Sequence, residues 1–328
     1  MIITRTPFRI TLGGGGTDLP SYYENNGGLV VSMAIDKYLY ITLKPDDFEH
    51  LCKVRYSEIE SVVHASLLRH TRAREALLMH GICDGIEINS CADLSASSGM
   101  GSSGTFLVGL LKAIREYKRI STEPSVVAEE ACYIEINTLK EPVGKQDQYI
   151  ASHGGVKVLD IAKDGKVTTS ALDMDLGDFL RNVHVYSLNV KRNASEILSD
   201  QQKLLGNTES ILNTIKEYGY RTIDLLKNKN YDEYGLLLDD YWKLKKQLSP
   251  KVSLDLVDQI YDKVKIDFGV LGGKIIGAGG GGFLMLYTPD GHDKLEAFMK
   301  SLGMWRLRYA IDYTGSRVIG NHLENKIC

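Results

Sequence analysis

Leu94-Ser95-Ala96-Ser97-Ser98-Gly99-Met100-Gly101-Ser102-Ser103-Gly104 is the stretch that decides how the rest of the chain is read. It follows a strand-like run, Gly85 to Cys91, and leads into apolar residues at Phe106, Leu107, Leu110, Leu111 and Ile114. That spacing collects the apolar side chains on one face of a helix. A glycine- and serine-rich turn entering a helix N-terminus suits an anion. The unpaired amides point outward, the dipole favours negative charge, and the missing side chains let a phosphate reach the backbone. The hydroxyls of Ser102 and Ser103 are placed to serve that phosphate or its metal ion. Read alone, the same run fits a flexible loop equally well. The choice between them rests on the other motifs.

At 328 residues the chain exceeds what one core usually supports, so two domains are expected. Hydrophobic content of 43% and charged content of 25% are those of a water-soluble globular protein. A net charge of -3 offers no basic surplus for nucleic acid or an anionic membrane. The first residues read as a strand, without the basic-then-apolar order of a signal segment, and no apolar run approaches the roughly 20 residues of a membrane span. Five cysteines, at 52, 83, 91, 132 and 328, show neither metal-ligand spacing nor a disulfide framework. A cytoplasmic enzyme is the expected class, as a monomer or a homodimer.

Phe8-Arg9-Ile10-Thr11-Leu12 alternates like a strand and runs into Gly13-Gly14-Gly15-Gly16-Thr17-Asp18. Four glycines after a strand indicate a sharp turn or a backbone lying against a ligand. Asp18 fits a turn or helix cap, which the local sequence favours, and also a carboxylate accepting sugar hydroxyls. Leu29 to Ile35 and Tyr38 to Leu43 read as two strands of a hairpin around Asp36-Lys37. Asp46 to Arg74 is polar and shows no assignable period, and its His64 and His70 have no partner at metal-binding spacing. Thr122-Glu123-Pro124 opens a helix through Asn137, with apolar residues at Val127, Ala131 and Ile134. Gly144-Lys145-Gln146-Asp147-Gln148-Tyr149 comes next, twelve residues separating Glu135 from Asp147. A carboxylate on a helix and another on the following turn can converge on one site, although most acidic side chains are simply solvated.

Val156 to Ile161 reads as a strand, and the boundary between domains is placed at 170/171, giving 1–170 and 171–328. The second half begins with a strand, Val183 to Val190, ending at Lys191-Arg192-Asn193-Ala194-Ser195. Apolar residues from Ile197 to Tyr218 then recur at helical spacing, with further helices over Tyr231 to Gln247 and Val252 to Asp267. Gly272 to Leu286 reads strand, glycine loop, strand, followed by a helix at Asp293 to Ser301 and a strand at Leu307 to Tyr313. No stretch supplies a Walker loop. The six residues Gly277 to Gly282 meet dinucleotide spacing only because they are nearly all glycine, and a strand follows them instead of a helix.

All three glycine loops, in order, resemble the motifs of the GHMP kinases. Thr6 to Asp18 is similar to the opening motif, Ser98-Gly99-Met100-Gly101-Ser102-Ser103 to the phosphate loop, and Gly272 to Gly282 to the third motif. Ser95 stands where the family commonly has proline and Met100 where it has leucine. Neither change removes a donor from the loop. Gly13 to Asp18, Gly144 to Tyr149 and Lys191 to Ser195 resemble the subgroup that acts on D-glycero-D-manno-heptose 7-phosphate. The resemblance implies an α+β fold of two lobes, a ribosomal-S5-like N-terminal one and a ferredoxin-like C-terminal one, with the site between them. It implies ATP-dependent, Mg2+-assisted phosphorylation of the anomeric hydroxyl of that sugar phosphate.

Roles follow by the same resemblance. Ser97, Ser98, Gly99, Met100, Gly101, Ser102, Ser103 and Gly104 hold the ATP phosphates, and Ser103 and Glu135 hold magnesium. Arg9 stands beside the transferring group and Asp147 is the catalytic aspartate, either taking the hydroxyl proton or orienting the sugar. Gly14, Gly15, Gly16, Thr17, Asp18, Lys191, Arg192, Gly279 and Gly280 contact the sugar phosphate, so Asp18 becomes a sugar ligand instead of a cap. The alternatives are a fucokinase- or galactokinase-like enzyme acting on a free sugar, and a sensor of the same fold that has lost catalysis. Retention of Arg9, Ser103, Glu135 and Asp147 together favours catalysis.

Overall fold

The alternating run that opens the chain forms β1 (Ile2–Gly13), buried on both faces from Thr6 onward. The computed structural model describes residues 1–95, 98–174, 176–188, 205–249 and 252–323. After α1 (Pro20–Asn26), β2 (Gly28–Pro45) runs antiparallel to β1 along almost its whole length. The hairpin expected at Asp36-Lys37 is therefore absent. Pairing steps from Pro7 opposite Tyr38 to Phe8 opposite Ile35, so these two residues bulge from one continuous strand. Asp36 is occupied elsewhere: its amide donates to the Ala310 carbonyl at 2.9 Å, and its carboxylate accepts from the Ala310 amide at 2.8 Å.

The stretch without a readable period contributes β3 (Cys52–Arg55), β4 (Ile59–Val62) and α2 (Thr71–Met79). Next come β5 (Ile86–Ala92), α3 (Ser102–Tyr117) and α4 (Pro124–Cys132), the last capped by the Glu123 carboxylate on the Val126 amide at 3.0 Å. A π-helical turn (Tyr133–Thr138) leads to α5 (Gln146–His153), β6 (Val156–Ile161) and β7 (Val167–Ala171). The second half supplies α6 (Leu176–Asn182), β8 (Val183–Ser187), α7 (Leu205–Lys227), α8 (Tyr231–Lys246) and α9 (Asp255–Phe268). It ends with β9 (Gly272–Ile275), β10 (Phe283–Tyr287), α10 (His292–Ser301), β11 (Arg306–Leu307) and β12 (Arg317–Asn321).

The first sheet has the order β12-β1-β2-β5-β3-β4, with β6 pairing the first half of β2 and β7 lying outside β6. The second has the order β11-β8-β10-β9 and is antiparallel throughout. Numbered within its own lobe that order is 4-1-3-2, the ferredoxin-like arrangement, so the α+β fold of two lobes is as expected. Both faces of β10 are buried. Leu284 and Leu286 pack with Tyr186, Trp242 and Ile260, while Met285 and Tyr287 join the core of the first lobe. The strand expected over Leu307 to Tyr313 stops at Leu307, because the chain then crosses to the first sheet, where Ile311 bridges Ile35. β12 completes that crossing beside β1, so residues 317–321 belong structurally with the first lobe. No helix among the described residues is long and apolar enough to cross a membrane.

Candidate active site

The turn into α3 leaves the first helix amides open. Its N-cap, Gly101, is left-handed (φ 85°, ψ 27°), and among the described residues no side chain caps the amides of the first turn. The Ser98 hydroxyl accepts from the Met100 amide at 3.4 Å, Met100 is buried, and its carbonyl accepts from the Arg9 amide at 3.2 Å. A side chain at either Gly101 or Gly104 would collide with Asp147, at 2.9 and 2.8 Å, which fixes how tightly α5 sits over this helix start. Ser102 and Ser103 lie in the first turn of α3. Ser97, Lys191 and Arg192 lie outside the described residues.

The third glycine loop buttresses the first. A side chain at Gly277 (φ 78°) would meet the Gly99 carbonyl at 2.3 Å, and one at Gly99 (φ 77°) would meet the Ile276 carbonyl at 2.7 Å. Only backbone without a Cβ on either side allows that approach. Gly279 and Gly280, expected among the sugar contacts, instead lie against Val252, whose carbonyl accepts from the Gly280 amide at 2.7 Å. Gly277 and Ala278 border the cleft in their place.

Arg9 and Asp147 form the centre of that cleft. Arg9 Nε donates to Asp147 Oδ1 at 2.7 Å, and the guanidinium also donates to the Gly99 carbonyl at 2.7 Å. Asp18 does not cap α1, whose N-cap is Leu19 with no side-chain bond. It turns inward, accepting from the Gln146 amide at 3.1 Å and the Gly16 amide at 3.2 Å. Burial pushes its carboxyl above the usual range, and the charge of Asp147 adds to the effect while the amides oppose it. A side chain at Gly144 would overlap the Asp18 carboxylate, so glycine is required there. Gly15 and Gly16 border the cleft. Gly14 and Thr17 shape the turn instead, the Thr17 hydroxyl lying 2.8 Å from the Gly14 carbonyl and 2.9 Å from that of Leu29.

Two lysines that the sequence did not mark complete the cleft. Lys245 of α8 and Lys274 of β9 both border it. Lys245 donates to the carbonyls of Ile275 (3.3 Å) and Gly277. Lys274 reaches the Leu12 carbonyl at 3.5 Å and lies 4.4 Å from the Tyr241 ring centroid. Burial, with Arg9 contributing, pushes the Lys245 ammonium down to about 7, and burial lowers Lys274 well below its ordinary value.

Glu135 sits on the π-helical turn, wholly buried, between Arg72 Nε at 2.7 Å and Gln148 Nε2 at 2.5 Å. Its carboxylate retains lone pairs beyond those two bonds. Among the described residues no three His, Cys, Asp or Glu side chains converge as a self-sufficient metal site. One carboxylate and one hydroxyl nevertheless suit magnesium, which keeps several waters and phosphate oxygens. The ion pair also carries structural weight. Glu135→Gln leaves Arg72 facing a neutral amide and is expected to destabilise the fold by about 2 kcal/mol, besides lowering turnover. Glu141, 3.5 Å from Arg72, limits the loss. Urea unfolding checks this, and an unchanged midpoint would refute it.

A separate cavity of about 330 Å³ opens at Ser102, lined by Phe8, Leu39, Tyr56, Leu94 and neighbours. Tyr56 comes from the stretch whose sequence had no period, which is why that wall was missed. Another cavity, about 740 Å³, lies around Asp178, Arg181, Asp232 and His292 and contains none of the motif residues.

Residues 63–155 match the family model described as GHMP kinases N terminal domain. The chain is 28% identical over 320 residues to D-glycero-alpha-D-manno-heptose 7-phosphate kinase of Campylobacter jejuni, covering 92% of this chain and 94% of that protein. It is 27% identical over 332 residues to L-fucokinase/L-fucose-1-P guanylyltransferase of Bacteroides fragilis, covering 87% of this chain but 34% of that one. A solved D-glycero-D-manno-heptose 1-phosphate kinase from Bacteroides thetaiotaomicron superposes with a TM-score of 0.80 at 20% identity, over 98% of this chain and 100% of that chain.

Proposed function

We propose that this chain, whose residues 63–155 match the GHMP kinases N terminal domain, is a GHMP kinase that transfers the γ-phosphoryl group of ATP to the anomeric hydroxyl of D-glycero-D-manno-heptose 7-phosphate. The products are heptose 1,7-bisphosphate and ADP, formed in the cytoplasm on the way to nucleotide-activated heptose for surface glycans. The observation that carries this reading is the Arg9–Asp147 pair, held at 2.7 Å against the open start of α3 and beside the buried Asp18. It supplies a cation, a carboxylate and free helix amides at one point.

The amides from Ser98 to Gly104 hold the ATP phosphates, with the nucleobase in the apolar cavity lined by Tyr56 and Leu94. Asp18, with Gln146, orients the sugar hydroxyls. The anomeric oxygen attacks the γ-phosphorus, its proton passes to Asp147, and the bond to the ADP oxygen breaks. Arg9 stabilises the charge that builds on the transferring oxygens. Magnesium, held by Ser103 and Glu135, would neutralise β- and γ-phosphate charge when bound.

A panel of free and phosphorylated hexoses and heptoses, assayed with ATP and Mg2+, tests the acceptor. Heptose 7-phosphate is expected to give the highest kcat/KM. Preference for free fucose or galactose would replace the acceptor, and turnover of none would favour a sensor.

A further inference from the structure

We infer that Lys245 and Lys274 form the subsite for the acceptor's own phosphate group, so that the cleft selects a phosphorylated sugar over a free one. This rests on the acceptor reading above and deepens it.

Lys245 is 6% exposed and Lys274 1% exposed, and among the described residues neither makes an ion pair. Burying two cations in one cleft without a counter-charge is costly, and such groups normally acquire a partner. Of the carboxylates bordering the cleft, Asp147 pairs through Oδ1 with Arg9 and Asp18 accepts from the amides of Gln146 and Gly16, and among the described residues neither pairs with a lysine. An ammonium has three N–H donors. Lys245 uses two on the carbonyls of Ile275 and Gly277, and Lys274 uses one on Leu12, so three remain for a ligand. Three donors from two cations match the oxygens of a phosphate dianion.

Position separates this site from the one for the nucleotide. The ATP phosphates already have the amides of the 98–104 turn, on the first lobe. The lysines come from α8 and β9; Lys274 looks onto the glycine run that precedes Asp18, while Lys245 borders the same cleft from the carbonyls of Ile275 and Gly277. Lys274 touches Leu12 and lies over Tyr241, whose hydroxyl donates to the Gly15 carbonyl at 3.2 Å. That is the acceptor side of the cleft. In the empty protein burial strips Lys245 of much of its charge above about pH 7. A bound dianion restores it, with Arg9, Asp18, Asp147 and Tyr241 the other titratable groups bordering the pair.

Lys245→Met and Lys274→Met are the variants to make. Each removes an uncompensated buried cation, so both are expected to fold with unchanged or raised Tm. Calorimetry should show affinity for D-glycero-D-manno-heptose 7-phosphate falling about 10- to 100-fold, the equivalent of one or two charge-assisted hydrogen bonds. Affinity for a non-hydrolysable ATP analogue should change no more than about threefold, less than one such bond. In the wild type at pH 8, where the sugar phosphate is already a dianion, binding should take up about one to two protons, as Lys245 and Lys274 become charged. That second measurement needs no variant. Loss of ATP-analogue affinity instead would assign the pair to the nucleotide, and absence of proton uptake would overturn the subsite. Wild-type turnover of heptose 7-phosphate with variants of undiminished affinity would sink the subsite alone. A wild type that phosphorylates only free sugars would sink the acceptor reading itself.

Discussion

Arg9→Met is expected to lower kcat by about 10³- to 10⁵-fold, the range over which an arginine beside a transferring phosphoryl group acts. Arg9 is 4% exposed at the centre of β1, so its guanidinium is held before substrate arrives and little reorganisation remains for the reaction itself. Its two bonds go to different partners, Asp147 Oδ1 and the Gly99 carbonyl, both at 2.7 Å. The same group therefore ties the acid–base residue to the phosphate loop. Lysine keeps the charge but cannot span both acceptors with one ammonium, so Arg9→Lys should recover only a minor part of the loss. Single-turnover rates separate this chemical defect from nucleotide binding. A kcat for Arg9→Met within tenfold of wild type would remove Arg9 from the reacting centre.

The glycine loops were legible because their function is local. A run such as Gly13 to Gly16, or Gly99-Met100-Gly101, announces a backbone that must turn or be approached closely, and its order along the chain identifies the fold. What the loops touch was not legible. Nothing near Gly279 in sequence says that it faces Val252, while Gly277, two residues earlier, presses on Gly99. Long-range pairing decided the other differences. Asp36-Lys37 has turn composition, yet an unbroken β1 opposite it keeps the strand going. Tyr309 to Tyr313 alternates like a strand but is drawn off toward β2. The lysines were hidden for a related reason. Lys243, Lys245 and Lys246 look like the basic end of a solvated helix, which suits its dipole, and only the packing of β9 against α8 buries the middle one.

Asp147→Asn is expected to lower kcat by about 10²- to 10⁴-fold with little change in ATP affinity, the usual contribution of a general base. The geometry bears on which role the carboxylate plays. Oδ1 is engaged by Arg9 at 2.7 Å, while among the described residues Oδ2 has no donor, and the side chain is 24% exposed to the cleft. One oxygen is thus anchored and the other is free to meet the acceptor hydroxyl. Asparagine keeps the shape but loses the negative charge and the basicity, and it also weakens the hold on Arg9. The two substitutions should accordingly be strongly non-additive. In Arg9→Lys/Asp147→Asn the loss should approach that of the worse single variant, because each breaks the same pair. Additive losses would mean that the two groups act independently, and the pair would then be no more than a feature of the empty cleft. Near-normal turnover by Asp147→Asn alone would leave Asp147 as a positioning residue, with the hydroxyl proton leaving to solvent.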